Sequence, residues 1–277
     1  MKINKGKIVA NGMLREGTPI QDYQTKYGFH VKREDLSCPW PGPPFSKARG
    51  VFAHLTKRTT DKVIGVLDTY HSQAGHAVAR ACSLLGKTCI NYYPEYKYEP
   101  GPRKPQIMAK ELGAVLVPLQ AGRSAILFHQ AKKDCESRQG YMMPNALKLD
   151  ESVTQTAKEV PQTKFDLVII PVSSATIAAG VILGFEQHRN PPRYILHLGY
   201  SRSKEQVLRY VESKTGLDAS NRIRIVDENY AYRDTAKKGK SPPWSCNPYY
   251  DLKAFRWWLR NRGRYKRYKK VLFWNIG

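Results

Sequence analysis

Short apolar runs alternate with helical patterns along most of the chain. VIGVLD (63–68) and TCINYY (88–93) are rich in β-branched and aromatic residues, and between them the apolar residues of 72–86 fall on one helical face. Further strands of this kind, each followed by a helical pattern, are expected at AVLVPL (114–119), DLVIIPV (166–172) and YILHLGYS (194–201). Continuous apolar strands interleaved with helices are typical of parallel sheets covered on both faces, so the pattern predicts an α/β fold.

Length and composition fit a globular protein. With 277 residues, 41% of them hydrophobic, the chain can form one large or two modest domains. No stretch reaches the roughly 20 apolar residues of a membrane span, and MKINKGKIVANG at the start lacks the apolar segment of a secretory signal. We therefore expect a soluble, cytoplasmic protein without membrane contact. The five scattered cysteines include no C-x-x-C pair, which predicts reduced core thiols and no metal site.

The charge is far from balanced. The formal net charge is +23 and the pI is near 9.8, whereas solubility needs only a net charge of magnitude about 2 to 8. Such an excess attracts polyanions and favours a nucleic-acid partner, with an incidentally basic surface as the alternative. Residues 255–270 interleave aromatic and basic side chains without an acidic one, and 92–105 forms a loop of tyrosines and basic residues, as functional lids often do. The residues expected to contact phosphates are Arg103, Lys104, Arg256, Arg260, Arg262, Arg264, Lys266, Arg267, Lys269 and Lys270.

Lys47, in PGPPFSKARG (41–50), stands at the start of an apolar helical pattern. The N–H groups at the start of a helix create a positive field, which lowers the pKa of a nearby amine and favours its neutral, nucleophilic form. Lys47 is therefore a candidate for a covalent bond to a carbonyl carbon. The alternative is a solvated lysine at a helix start.

PVSSATIAAG (171–180) describes a buried strand that ends in small residues and leads into a helix. The backbone N–H groups of residues 173–176 can converge on a phosphate, because small side chains let an anion approach the positive end of the helix. These residues are Ser173, Ser174, Ala175 and Thr176. The segment is neither a Walker A loop nor a dinucleotide fingerprint. An ordinary turn with a Ser or Thr helix cap is the alternative.

Asp251 follows two tyrosines in NPYYDLKAF (247–255), just before an apolar helical pattern. A carboxylate at this position can cap the helix. It can equally hold a proton on a heterocyclic nitrogen. Both interpretations stay open on these residues alone.

Four segments together resemble pyridoxal-phosphate enzymes of the tryptophan synthase β-subunit fold (fold type II), nearest to the aminocyclopropane-carboxylate deaminase and D-cysteine desulfhydrase branch. VKREDL (31–36) with SKARG around Lys47 is similar to the family's KREDL…NKARK segment, and DTYHSQAGHAVARA (68–81) is similar to its SNHARATAAA helix start. PVSSATIAAGV resembles the phosphate loop GSGGTLAGL, and NPYYDLKA resembles DPVYEGKA. The resemblance spans residues 18 to about 255, in the family's order.

The resemblance implies an α/β fold of two parallel-sheet domains: a large pyridoxal-phosphate-binding domain of residues 1–51 and 146–277, with a small α/β domain of 52–145 inserted in it. It also implies that Lys47 binds the cofactor covalently and that the loop 173–176 holds its phosphate. Tyr250 would pack near the cofactor ring. Asp251 would face the pyridine nitrogen and keep it protonated, which makes the ring a strong electron sink.

The resemblance also implies how the substrate is held. The family's serine and asparagine at the helix start correspond to Ser72 and Gln73, and the residue at 73 contacts the cofactor's phenolic oxygen and the substrate carboxylate. Gln73 departs from the family's asparagine, and its longer side chain is expected to move that carboxylate. His71 and Tyr249 are candidates for holding the substrate or donating a proton, with simple packing as the alternative.

The charge bears on the substrate. Small-molecule members of this branch do not need a net charge of +23, whereas an amino group attached to DNA explains both the charge and the cofactor. The combination resembles phage pyridoxal-phosphate decarboxylases that act on amino acids attached to 5-hydroxymethyluracil in DNA, and it predicts conversion of an amino-acid-modified thymine to the corresponding amine. One alternative is a lyase, deaminase or desulfhydrase of a small free amino acid. Another is a non-catalytic DNA-binding protein on a degenerate cofactor fold. The family further implies a homodimer.

Overall fold

The computed structural model describes residues 8–9, 14–189, 191–218 and 220–277. The chain divides into two compact units. Unit 1 comprises Met1–Cys38, Pro44–Ser46 and Ser152–Gly277, and unit 2 comprises Pro39–Pro43 and Lys47–Glu151.

Strands and helices alternate through the middle of the chain. The strands are β1 (Ile8–Val9), β2 (Leu14–Arg15), β3 (Ile20–Tyr23), β4 (Phe29–Arg33), β5 (Val63–Leu67), β6 (Thr88–Glu95), β7 (Val115–Gln120), β8 (Tyr141–Met142), β9 (Leu167–Val172), β10 (Arg193–Leu198), β11 (Ile223–Val226) and β12 (Val271–Asn275). The helices are α1 (Gln24–Tyr27), α2 (Ala48–Thr56), α3 (Ala74–Leu85), α4 (Lys104–Glu111), α5 (Ser124–Ser137), α6 (Asp150–Lys158), α7 (Thr176–Glu186), α8 (Lys204–Thr215) and α9 (Asp251–Asn261), and a single helical turn, Arg262–Tyr265, follows α9. Among the described residues, no helix combines the length and the apolar character that a membrane crossing needs.

Unit 1 contains a sheet with the strand order β11-β10-β9-β12-β4-β3. Neighbouring strands run parallel, except that β3 pairs antiparallel with β4 at the edge. The central strand β9 is buried along its whole length because both faces of the sheet are covered. Val168 and Ile170 pack in the apolar cluster that contains residues of α7 and α8, while Leu167 and Ile169 pack in the cluster that contains residues of α9. The predicted doubly covered parallel sheet is confirmed.

Unit 2 contains a second sheet, with the strand order β7-β6-β5-β8 and parallel pairing throughout. Its core includes Leu67, Tyr92 and Leu127, the last of these from α5. The expectation that 92–105 is one loop is wrong at both ends. Residues 92–95 pair with β7 as part of β6, and α4 begins at Lys104, so the irregular part is shorter than the sequence suggests.

Candidate active site

Lys47 is a buried amine at the start of α2. Its side chain is only 6% exposed, so the interpretation as a solvated lysine is wrong. Its Nζ donates a hydrogen bond of 2.7 Å to the carbonyl of Ala146, whose φ of 57° lies in the left-handed region. Burial, with a smaller contribution from the positive charge of Lys148, lowers the pKa of Lys47 to about 7. A large fraction of the amine is therefore neutral and nucleophilic near pH 7.

The turn from β9 to α7, residues 173–176, presents backbone N–H groups at the start of a helix of 11 residues. Ala175 occupies the N-cap position with φ of 67°, and no side chain caps the helix, so the alternative of a Ser or Thr cap is wrong. This left-handed residue ahead of a helix forms the kind of concavity that binds anions. The Thr176 hydroxyl is fully buried, 3.1 Å from Ser174 Oγ. The guanidinium of Arg202 donates to the carbonyl of Ser173 and adds positive charge at the turn.

Asp251, the first residue of α9, is fully buried. Its Oδ1 accepts a hydrogen bond of 2.7 Å from the backbone N–H of Ile276, and Tyr250 rather than Asp251 is the N-cap residue. Among the described residues, Oδ2 has no hydrogen-bond partner. Burial, together with the negative charge of Asp35, raises the pKa of Asp251 to about 7, although the hydrogen bond from Ile276 opposes the shift. The geometry thus favours an N–H donor opposite Oδ2 over the helix-cap interpretation.

Tyr250 packs against the end of β10 beside the 173–176 turn. Its side chain is hydrogen-bonded to the Ser173 side chain, and burial raises its pKa well above the usual value. A Cβ added at Gly199 would lie 2.2 Å from Tyr250 Cδ1, so only glycine allows this ring position. Lys253 is also fully buried and donates to the carbonyl of Gly199, and its Nζ lies 4.3 Å from the centroid of the Tyr230 ring. The predicted residues Ser173 and Tyr250 are therefore in contact, and Gly199 and Lys253 were missed.

We expect Gly199→Ala to lower the free energy of unfolding by about 1–3 kcal/mol, because a methyl group forced into a packed core displaces its neighbours. The displaced neighbour is the Tyr250 ring, so cofactor affinity should fall as well. Chemical denaturation and cofactor titration measure the two effects. Gly122→Ala is the matched control, because its added Cβ meets nothing closer than 3.8 Å. Equal stability of the two variants would contradict this account.

His71, Ser72 and Gln73 form the turn that leads into α3 in unit 2. Ser72 Oγ accepts a hydrogen bond of 3.0 Å from the backbone N–H of Ala74, and Gln73 occupies the N-cap position of α3. Gln73 Oε1 is buried without a hydrogen-bond partner among the described residues. The His71 side chain is buried. The turn thus presents one acceptor that a bound ligand can satisfy.

A buried polar cluster fixes this turn. Asp68, at the end of β5, is fully buried, and burial raises its pKa to about 6. Gln106 Nε2 donates to Asp68 Oδ2 at 2.9 Å and to the carbonyl of Thr69 at 3.2 Å, which ties α4 to the residues before the turn. A Cβ at Gly75 would lie 2.1 Å from Asn91 Nδ2, so α3 begins in close contact with this cluster. These residues were not predicted from the sequence, although the position of Asp68 at the carboxyl end of a parallel strand was a usable signal.

Two of the predicted DNA contacts, Arg256 and Arg260 in α9, form contacts within the protein. The guanidinium of Arg256 donates to the carbonyl groups of Ala236, Lys237, Gly239 and Lys240. Arg260 forms an ion pair with Glu228. Carbonyl groups of the 236–240 loop accept hydrogen bonds from the Arg256 guanidinium, so this side chain stabilises the loop.

The other predicted DNA contacts differ in their surroundings. Arg103 forms an ion pair of 2.7 Å with Glu99, and Lys104 is exposed at the start of α4. The remaining residues are exposed and form no salt bridge within the described ranges; they are Arg262, Arg264, Lys266, Arg267, Lys269 and Lys270. Tyr249 is half-buried, and its backbone N–H donates to Asn247 Oδ1 at 2.9 Å. No group of His, Cys, Asp or Glu side chains suited to a metal ion occurs in the described part of the chain.

Comparison with known proteins identifies the class. The family model for pyridoxal-phosphate dependent enzymes matches residues 13–204, and the chain belongs to this family, with pyridoxal phosphate as its cofactor. Within the family, it is 46% identical over 280 aligned positions to the "Glycyl-dTMP PLP-dependent decarboxylase" of Pseudomonas phage M6, which covers 96% of this chain and all of the phage protein. The family expected from the four motifs is confirmed.

Solved structures agree on the fold. A crystal structure of an ACC deaminase homologue matches with a TM-score of 0.79 at 18% identity, covering 100% of this chain and 92% of the homologue. The processed form of threonine deaminase isoform 2 from Solanum lycopersicum matches with a TM-score of 0.65 at 13% identity, covering 100% of this chain and 88% of that enzyme. At these identities the likeness concerns the fold alone, which is fold type II as predicted.

Each unit by itself contains groups that fit pyridoxal phosphate. In unit 2, Lys47 offers a buried amine for the aldehyde. In unit 1, the N–H groups of 173–176 offer an anion site for the phosphate. Asp251 Oδ2 is the strongest structural indication of the cofactor. This oxygen is buried, has no hydrogen-bond partner in the described part of the chain, and suits a protonated ring nitrogen.

Proposed function

We propose that this protein is a pyridoxal-phosphate-dependent decarboxylase that acts on glycyl-modified thymidine nucleotides in phage DNA. The observation that carries the proposal is the 46% identity, over 96% of the chain, to the phage protein named for glycyl-dTMP. In the reaction, the bond between the α-carbon and the carboxyl carbon breaks and CO2 leaves. A proton takes its place on the α-carbon, so the base retains an amine.

Three groups of residues contact the cofactor in this proposal: Lys47, Asp251 and residues 173–176. When bound, pyridoxal phosphate supplies the electron sink for the electrons left on the α-carbon. Lys47 is the covalent attachment point, and its amine, with a pKa near 7, exchanges a proton with the α-carbon at neutral pH. Asp251 Oδ2 holds the proton on the ring nitrogen, and residues 173–176 bind the phosphate.

The turn at the start of α3 orients the substrate. In the proposal, the Ser72 hydroxyl and the Gln73 side-chain amide N–H group donate to the substrate carboxylate, Gln73 Oε1 accepts from a donor of the bound ligand, and His71 and Tyr249 are candidates for holding the modified base. Asp68 and Gln106 act indirectly, because they fix the backbone that leads into this turn. Their contribution is positional.

The charge supports DNA as the partner. A net charge of +23 favours a polyanionic substrate over a free amino acid, and phosphate contacts then supply affinity while the cofactor acts on the base modification. Phage DNA is modified inside the infected host, so the proposed compartment is the host cytoplasm.

The test is incubation of the purified enzyme with a synthetic oligonucleotide that contains glycyl-modified thymidine, followed by mass spectrometry of the nucleosides. We expect the modified nucleoside to lose the mass of one CO2. Free glycine in place of the oligonucleotide should release none. Turnover of free amino acids with the modified DNA left intact would contradict the proposal and favour the small-molecule lyase.

A further inference from the structure

A surface groove of unit 1 lies beside the C-terminal end of α9. Its volume is about 490 Å³, and it is bounded by the end of α9, the Arg262–Tyr265 turn, the residues leading to β12, and Gln24. Gln24 Nε2 donates a hydrogen bond of 3.2 Å to the carbonyl of Lys269 and thereby links α1 to the segment before β12. The groove thus joins residues from the two ends of the chain.

The groove is strongly positive. Arg262, Lys266 and Lys269 line it and are exposed. Three further exposed cations of the same segment lie beside them in sequence: Arg264, Arg267 and Lys270. In the described ranges, none of these six cations forms a salt bridge. The carboxylate of Asp166 accepts hydrogen bonds of 2.9 Å from the backbone N–H groups of Lys269 and Lys270, which fixes the backbone that carries these two cations.

The groove also presents aromatic and polar surface. The rings of Tyr265 and Tyr268 are stacked, with centroids 6.3 Å apart and planes inclined by 28°. Tyr265 is 8% exposed, and its hydroxyl has no hydrogen-bond partner among the described residues. Gln24 Oε1 is likewise buried without a partner there. Unpaired buried polar atoms cost free energy. An amide oxygen needs a donor, which a nucleobase supplies and an isolated anion does not.

We propose that this groove binds the DNA strand that carries the modified thymine. Its phosphates contact Arg262, Lys266 and Lys269, and a base packs against Tyr268. Cations along a groove with aromatic rings between them are the usual arrangement for single-stranded DNA. The inference rests on the proposed function and adds the place at which the polymer is held.

The groove and Asp251 lie at opposite ends of strand β12. Val271, which lines the groove, is the first residue of β12, whereas Ile276, which donates to Asp251, follows its last residue. The groove therefore holds DNA at a distance from the reacting base, and oligonucleotides too short to reach it should show a higher KM.

The experiment compares two triple variants of the holoenzyme. One is Arg262→Ala, Lys266→Ala and Lys269→Ala, and the control removes the same charge from exposed lysines of unit 2 with Lys62→Ala, Lys110→Ala and Lys133→Ala. Fluorescence anisotropy with an unmodified single-stranded oligonucleotide gives Kd over a range of salt concentrations. The groove variant should bind at least about tenfold more weakly at low salt, and its slope of log Kd against log salt should fall by about 2. The cofactor absorption band should be unchanged in both variants.

Two further measurements complete the test. Tyr268→Ala should weaken binding without changing the salt slope, because a stacking contact releases no counterions. Equal losses of DNA affinity in the two triple variants would overturn the proposed role of the groove. Tighter binding of RNA than of DNA of the same sequence would also overturn it. Binding is measured on unmodified DNA, so a failure to decarboxylate counts against the proposed function alone. An unchanged salt slope counts against the groove even where decarboxylation proceeds.

Discussion

Replacement of Lys47 by alanine is expected to lower the rate of decarboxylation by at least about 10²- to 10⁴-fold, the range that a positioned proton-transfer group contributes. The substitution removes both the covalent attachment point and the amine whose pKa is lowered to about 7. It should also abolish the visible absorption of lysine-bound cofactor. The measurements are kcat on the modified oligonucleotide and the absorption spectrum of the purified protein.

Lys57→Ala is the control for the Lys47 variant. Lys57 follows the last residue of α2, is exposed, and pairs with Glu151 at 3.0 Å, so its loss changes the charge equally without touching the buried amine. Borohydride treatment followed by peptide mapping should place the cofactor on Lys47. Lys253 is the informative competitor, because burial also lowers its pKa, to about 8. Attachment at Lys253, or a retained absorption band in Lys47→Ala, would contradict the assignment.

Local periodicity was enough to predict the strands β5, β6, β7, β9 and β10 and the helix that follows each of them, whereas β8 and α6 were not predicted. The predicted elements are short and follow one another directly, so each leaves its own apolar pattern in the sequence. The turn 173–176 and the position of Asp251 could be predicted for the same reason, because small residues or a carboxylate directly precede a helical pattern. Burial of Lys47 required more, since a lysine at a helix start is usually solvated.

Contacts between distant segments were beyond the reach of the sequence pattern. The strand β12 lies between β9 and β4, and no periodicity specifies which strands become neighbours. Gly199 and Lys253 were missed because their partners come from other elements. Arg256 is a further example of a contact that the sequence pattern does not show. Its charge suggested a phosphate contact, but its guanidinium donates to carbonyl groups of a loop of the protein. The composition gives the number of charged side chains, but it does not show which of them donate hydrogen bonds to carbonyl groups of the protein itself.

Asp251→Asn is expected to lower kcat by roughly 10²-fold or more, because an amide cannot hold the proton on the cofactor's ring nitrogen. Without cofactor, the same change should stabilise the protein at high pH. The folded-state pKa of Asp251 is about 7 against an ordinary value of 3.8. Its contribution to stability is therefore present below pH 3.8 and is lost as the pH rises through about 7. Asparagine removes this loss, which corresponds to a few kcal/mol at about 1.4 kcal/mol per pKa unit.

Opposite effects on activity and on stability distinguish a catalytic carboxylate from a structural one. Thermal melting of the cofactor-free protein across pH 4 to about 8 tests the expected change in stability. Measurement of kcat with saturating cofactor tests the expected loss of activity. Asp218→Asn is the matched control, because this exposed side chain accepts from Ser220 N–H through Oδ1, an oxygen that asparagine keeps. Wild-type kcat in Asp251→Asn would show that the ring nitrogen lies elsewhere. A loss of stability at every pH would show that the carboxylate serves the fold beyond its bond from Ile276 N–H, because asparagine keeps the Oδ1 acceptor of that bond.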